Sequence, residues 1–229
     1  MSPRPKLITP QGSLQEAIVT IAWKQIAESG AASLSLRAIA RELNITAPAI
    51  YNYYPSRDDL VTALIIKAYT DFGDAQLAAV QDVPEEDLVG RLLASGQAYR
   101  AWALTYPERF HLIFGTPIPG YVAPEEKTLP VAARSLSALL GALEALRELG
   151  RLRSLPAQEI DPDQLALFEA RKTMGGEGDI ELLAIAVLIW SRVHGFVALE
   201  ISHNLPPYGV DPEILYRHIL ESITKEFIR

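Results

Sequence analysis

The segment Ser35–Leu60, SLRAIARELNITAPAIYNYYPSRDDL, decides how the rest of this chain is read. Ser35 can cap a short helix to Leu43 that places Leu36, Ile39, Ala40 and Leu43 on one face. The tight turn LNIT follows. Thr46 can cap the next helix, APAIYNYY, with Pro48 in the first turn, where its missing N–H costs nothing, and Pro55 as the stop. Ser56 caps a third, long helix. Asp58 and Asp59 oppose its dipole, and Leu60, Ala63, Leu64, Ala68 and Phe72 carry the apolar face to about Gln81.

Two short helices joined by a tight turn, the second rich in small and hydrogen-bonding residues, have helix-turn-helix geometry. Upstream, LQEAIVTIAWKQIAES after Ser13 repeats apolar residues near a 3.6-residue period and stops at Gly30. With this first helix, Leu36, Ile39, Ala40, Leu43, Ile45 and Ile50 can close a small core. Thr46, Ala47, Ala49, Asn52 and Tyr53 are left outward, where they fit a groove.

Composition sets the wider bounds. The chain has 229 residues, 49% of them hydrophobic, which excludes a disordered chain. It has no cysteine, which excludes disulfide, thiolate-zinc and cysteine-nucleophile chemistry. The net charge of −7 rules out a uniformly basic coat. Residues 1–60 hold six Lys/Arg against five Asp/Glu, so the acidity belongs to the larger remainder. MSPRPKLITPQG reads as a short flexible arm rather than a signal peptide. No later stretch approaches eighteen uninterrupted apolar residues, so a soluble, cytoplasmic protein without a membrane partner is expected.

Helical pattern continues from Leu88 to Tyr106, Pro107 breaks it, and PERFHLIFG reads as a short helix. GTPIPGYVAP is a loop by its prolines and glycines. A long helix from about Glu125 to Leu149 is expected, then a linker, a modest helix from Asp163 to Thr173, and two last helices near Asp179–His203 and Asp211–Arg229. The fold class is all-α. Residues 1–12 form the arm, 13–56 a three-helix head, and 57–229 a larger helical domain.

The stretch LSLRAIARELNITAPAIYNYYPSRDDLVTAL resembles the DNA-binding head of TetR-type transcriptional regulators over about Ser13 to Leu64. Ile39-Ala40, the turn, Ile50-Tyr51, Tyr53-Tyr54, Ser56 and Leu60 hold the family's spacing. Asn44 stands at the usual turn glycine, Tyr53 at the common histidine and Arg57 at the common lysine; asparagine is the best non-glycine residue for a left-handed turn. The resemblance implies that Thr46, Tyr51, Tyr53 and Arg57, helped by Ser35, hydrogen-bond phosphates. It implies too that Arg37, Ala47, Ala49 and Asn52 meet base edges, and that Lys6 belongs to a basic arm. From the residues alone, Tyr51 can equally be a half-buried ring, Tyr54 reads as core, and Arg37 and Arg41 can be solvated charges.

WSRVHGFVALE, Trp190 to Glu200, resembles the Trp-His-Gly signature of one C-terminal subclass of these regulators, and FGTPIPGY resembles it too. The family resemblance implies that the large domain binds a small-molecule effector and dimerises. Tyr69, Phe72, Tyr99, Trp102, Phe110, Phe114, Phe168, Trp190 and His194 are the candidate pocket residues; an aromatic stripe can equally be core, and His194 a satisfied core histidine. Ala184, Leu188, Ser191, Gly195, Ala198 and Ser202 make a stripe of mostly small residues, a candidate homodimer seam completed by Leu215, Ile219, Ser222 and Phe227. The same stripe also suits intrachain packing. The four histidines show no metal spacing, and no cofactor motif is present. The expected function is a homodimeric repressor that a small hydrophobic effector releases from a palindromic double-stranded DNA operator. An effector-free architectural DNA-binding protein and an all-α enzyme are the other two readings, the latter without any recognisable catalytic motif.

Overall fold

The computed structural model describes residues 14–155, 180–207 and 209–229. Among them are ten α-helices: α1 (Leu14–Ser29), α2 (Leu36–Glu42), α3 (Ala47–Tyr51), α4 (Arg57–Gln81), α5 (Leu88–Thr105), α6 (Pro107–Phe114), α7 (Glu125–Arg134), α8 (Ser137–Glu148), α9 (Ile180–Ile201) and α10 (Pro212–Phe227). No strand occurs among the described residues, where an isolated antiparallel bridge joins Leu152 and Ile228. The fold is all-α, as its periodicity predicts. The arm with Lys6, the expected helix at Asp163–Thr173 and Phe168 lie outside the described residues.

Two expectations about helix limits differ from the structure. α3 stops at Tyr51, not Tyr54, and the N–H groups of Tyr53 and Tyr54 both turn back onto the Ile50 carbonyl. Pro55 disfavours helical backbone at the residue before it, so the unwinding starts early. The single helix expected from Glu125 to Leu149 is two, interrupted at Ser135–Leu136. Pro130 sits inside α7, yet the break comes later, where the buried Gln76 amide donates to the Ser135 carbonyl at 3.1 Å. The backbone at Gly73 also comes so close to Ser135 that an added Cβ would lie 3.2 Å from its Cα. Tertiary contact with α4 places the break.

The chain divides into two compact units, with the boundary inside α4 between Asp71 and Phe72. Among the described residues the first comprises 14–71 and 106–133, the second 72–105, 134–155, 180–207 and 209–229. This differs from the boundary expected after Ser56. The reason is that α6 packs on α1: Arg109 lies over the Trp23 ring at 5.1 Å and pairs with Asp71 at 2.9 Å. Tyr69 donates to the Ile113 carbonyl at 3.2 Å, and the Thr62 and Tyr121 hydroxyls meet at 2.9 Å. Residues 106–133 therefore belong with the head. Ile18, Ala22, Ile26, Leu36, Ile39, Ala40, Ile50, Tyr54 and Leu60 build its core.

In the second unit, α9 lies against α5, α8 and α10. Leu182, Ile185, Ala186, Ile189, Val193 and Val197 form its buried face. α9 is long and apolar enough to cross a bilayer, but ion pairs tie it into the unit: Arg192 to Glu226 at 2.5 and 2.8 Å, and Glu200 to Arg100 at 2.6 and 2.8 Å. At the C-terminus, Arg229 N–H donates to Arg151 O and Arg153 N–H to Phe227 O, both at 2.8 Å.

Candidate functional site

The reading head is built locally. Ser35 caps α2, its hydroxyl accepting from Ala38 N–H at 3.3 Å, while its own N–H donates to the Gln25 side chain. Leu43 closes α2, and Asn44 follows at φ 54°, the left-handed conformation its type favours. Ile45 N–H returns to the Ala40 carbonyl at 3.0 Å, which fixes the turn. Ile50 is fully buried and anchors α3 on the core, with Leu43 and Ile45 half-buried beside it.

That anchoring leaves one side of the α3 region in solvent. Thr46 occupies the N-cap with no side-chain capping bond, and its exposed hydroxyl faces outward with Asn52. Tyr51 is 41% exposed and Tyr53 44%, whereas Tyr54 is buried with its hydroxyl 3.4 Å from the Gln15 amide. Ala47 and Ala49 are half-buried between them, and Arg37 and Arg41 stand exposed on α2. The arrangement presents hydroxyls, one carboxamide and two guanidinium groups around a small apolar surface.

Arg57, for which the resemblance implies a phosphate contact, has its guanidinium turned into the head. Its Nη2 donates to the carbonyls of Ala31 (2.9 Å) and Ala32 (3.1 Å), its Nε to that of Leu34 (3.2 Å), and its Nη1 lies 3.4 Å from Asp58. Four of the five guanidinium hydrogens are thus committed inside the head. A cation in the first turn of α4 opposes the helix dipole, and these carbonyls, at the end of the single 3-10 turn Ala31–Ser33, supply the compensating negative ends. Arg57 ties the start of α4 to the segment leading into α2. Beside it, Ser56 accepts from Asp59 N–H at 3.1 Å and donates to the Asp59 carboxylate at 2.7 Å, a reciprocal cap. Lys24 is likewise paired, with Glu42 at 2.8 Å, which raises its pKa.

The described aromatic candidates fall in both units. Tyr69, Phe110 and Phe114 cluster in the first unit, with ring centroids 5.8 and 5.0 Å apart, and burial raises the Tyr69 phenol's pKa. In the second unit Phe72 lies 4.8 Å from Tyr99 and 5.0 Å from Trp102. Trp190 stacks on His194 at 4.7 Å, and His194 Nδ1 is 2.7 Å from the Tyr99 hydroxyl. Burial lowers the pKa of His194, so the ring is neutral at pH 7.

A small cavity does lie in the second unit, with about 30 Å³ of free space. Among the described aromatic candidates Tyr99 and Trp190 reach its wall; other lining comes from Gln76, Ser95, Leu220 and Ile189. Sequence reading passed over Gln76 and Ser95, though a signal was there. Each is a polar residue in core phase, Gln76 four residues after Phe72 and Ser95 between Leu92 and Tyr99.

The small-residue stripe of α9 faces away from the unit's core. Ala184, Leu188, Ser191 and Ser202 are exposed, Ala198 and Gly195 half-exposed, and an added Cβ at Gly195 meets nothing among the described residues. Val187 beside them is 59% exposed. Leu215 and Ser222 of α10 are exposed and Ile219 is half-buried, whereas Phe227 is 2% exposed under Arg192 and belongs to the core of its own chain. Among the described residues no three His, Asp or Glu side chains group as metal ligands.

Residues 18–64 match the profile of bacterial regulatory proteins of the tetR family, and residues 92–223 match the tetracyclin repressor-like C-terminal domain. The chain is 35% identical over 198 residues to the HTH-type transcriptional regulator Rv1816 of Mycobacterium tuberculosis, covering 86% of this chain and 83% of that one. The same figures hold for the HTH-type transcriptional regulator Mb1846 of Mycobacterium bovis. Among solved structures, SCO4313 superposes with a TM-score of 0.74 at 32% identity, covering 92% of this chain and 95% of that one.

Proposed function

The chain belongs to the TetR family of bacterial transcriptional regulators, and from that premise we propose that it is a homodimeric repressor, released from a palindromic operator by a small hydrophobic effector. It is a DNA-binding regulator by family, and it works in the cytoplasm by binding rather than by turnover. One observation carries the DNA-reading role: Thr46, Tyr51, Asn52 and Tyr53 project into solvent from a turn and helix that Ile50 fixes to the core. Asn52 suits adenine, Arg37 guanine, and Ala47 and Ala49 the methyl of thymine. Ser35, Thr46, Tyr51 and Tyr53 would position the head on phosphates, with Lys6 adding a basic contact.

The outward apolar face of α9, with Leu215, Ile219 and Ser222 of α10, supports the dimer. An exposed apolar stripe on a helix is the kind of surface that an isologous contact covers. For release, α4 is the covalent path, since it carries residues of both units. The effector must bind the DNA-incompetent form more tightly. Moving an equilibrium from 1:99 to 99:1 takes about 5.5 kcal/mol of such preference.

Selecting bound duplexes from a random pool, then measuring their affinity by fluorescence anisotropy, tests the proposal. Palindromic sites with half-sites about 10 base pairs apart support a dimer reading two successive grooves. A single asymmetric half-site, bound with full affinity, defeats it.

A further inference from the structure

We infer that the cavity of the second unit takes a neutral, mainly apolar ligand that donates a hydrogen bond, and that Gln76 and Ser95 are its polar anchor. This rests on the effector reading above and names the chemistry the effector must have. Gln76 and Ser95 are each only 4% exposed, yet they stand on a wall otherwise built largely from Leu92, Ile189, Leu220 and similar residues.

The polar hydrogens of these two side chains are spent inside the protein. Gln76 Nε2 donates to the carbonyls of Phe72 (3.3 Å) and Ser135 (3.1 Å), and Ser95 Oγ donates to Gln76 Oε1 (3.3 Å). Thr224, on the same wall, donates to the Leu220 carbonyl at 3.0 Å. What these three offer an occupant is lone pairs: one on Gln76 Oε1, and those on the two hydroxyl oxygens. Against these three groups a ligand carbonyl or carboxylate would set lone pair against lone pair. A ligand hydroxyl or N–H is matched.

Charge is disfavoured by the same wall. Among the described residues no Lys, Arg, Asp, Glu or His lines the cavity, and an ion buried against them would forfeit several kcal/mol of hydration without a counter-charge from them. His194, which reaches Tyr99 from α9, is kept neutral by its burial and offers no compensation.

Size says how the ligand enters. About 30 Å³ holds roughly two water molecules, whereas a benzene ring occupies a cavity of about 150 Å³. The occupant must therefore enlarge the space, and Leu220 is the side chain to move. It packs directly on Gly96, where an added Cβ would come within 2.9 Å of Leu220 Cδ2. Leu220 belongs to α10, so filling the cavity displaces the helix that presents Leu215 and Ser222.

Three probes test this on the full-length protein by calorimetric titration: 4-propylphenol, propylbenzene and 4-propylbenzoate. The phenol should bind about tenfold more tightly than propylbenzene, the worth of one good buried hydrogen bond, and the benzoate should not bind. Gln76→Leu should erase the phenol's advantage while propylbenzene binds as before. Ser95→Ala, a milder change that serves if the leucine variant fails to fold, should reduce that advantage at least threefold. Equal binding of phenol and propylbenzene, preferred binding of the benzoate, no binding of any probe, or an unaltered preference in Ser95→Ala each overturns the inference. Phenol binding that follows this pattern but leaves operator affinity untouched supports the ligand class and defeats the effector reading instead.

Discussion

Replacing Arg57 by alanine distinguishes a residue that builds the reading head from one that touches DNA. Three of its donors end on main-chain carbonyls at 2.9, 3.1 and 3.2 Å. Hydrogen bonds from a charged donor contribute about 1.5–3 kcal/mol each when well buried. They are not additive, and the side chain keeps 30% of its surface exposed, so a total of about 2–4 kcal/mol is reasonable. Removing a cation from the first turn of α4 returns about 0.3–1 kcal/mol of dipole repulsion. A net loss of about 2–3 kcal/mol remains, and the carbonyl contacts win. At about 2–4 °C per kcal/mol for a chain of this length, Tm should fall by about 4–12 °C. Operator affinity should fall too, because the loosened head must be reordered on binding, but its salt dependence should stay the same. A phosphate contact leaves the opposite signature: unchanged Tm and a log–log salt slope smaller by about one. Lysine at this position keeps the charge but lacks the fork, so it should rescue little of the stability. Calorimetry, with anisotropy titrations at several salt concentrations, measures both quantities. A variant with wild-type Tm and a slope reduced by one would refute the reasoning.

Tyr53→Phe should weaken operator binding about three- to tenfold with no change in Tm or salt slope, since it removes an exposed hydroxyl and no charge; equal affinity for both proteins removes Tyr53 from the interface. Gly195→Leu should leave each protomer folded, because the new side chain meets open space within its own chain, and should shift the sedimenting species from dimer to monomer. A normal dimer would take the α9 stripe out of the seam. Burial lowers the His194 pKa below its ordinary 6.5. As pH falls past 6.5 the unfolded chain takes up a proton that the folded one refuses, so stability drops by at most about 1.4 kcal/mol per pH unit. Tm profiles between pH 7.5 and 5 should be flatter for His194→Gln than for the parent, and superimposable profiles would show that His194 carries none of the acid sensitivity.

Much of the head was legible because its determinants are close in sequence. The Ser35 cap, the left-handed Asn44 and the Ile39-Ala40 and Ile50 core positions lie within sixteen residues of one another, and each is found where its residue type predicts. The partners of Arg57 were not legible. They are carbonyls 23 to 26 residues away, and a carbonyl belongs to every residue type alike. Residue type picks out the aromatics without saying which rings meet: Tyr69 packs edge to face on Phe114, and Phe72 on Tyr99. The cavity wall is mostly apolar with Gln76 and Ser95 in it, side chains that helical phase marks as buried without saying against what.

By itself, then, the sequence determined an all-α chain with a helix-turn-helix head, its caps and turn, and an outward row of Thr46, Asn52 and Tyr53. These follow from local propensity and a period of 3.6 residues. Tertiary structure decided what periodicity cannot carry. It set residues 106–133 with the head, broke the helix at Ser135, turned Arg57 onto carbonyls, and put Gln76 and Ser95 on the wall of the cavity. Helical phase records that a face is buried, whereas the identity of the covering surface depends on contacts between residues far apart along the chain.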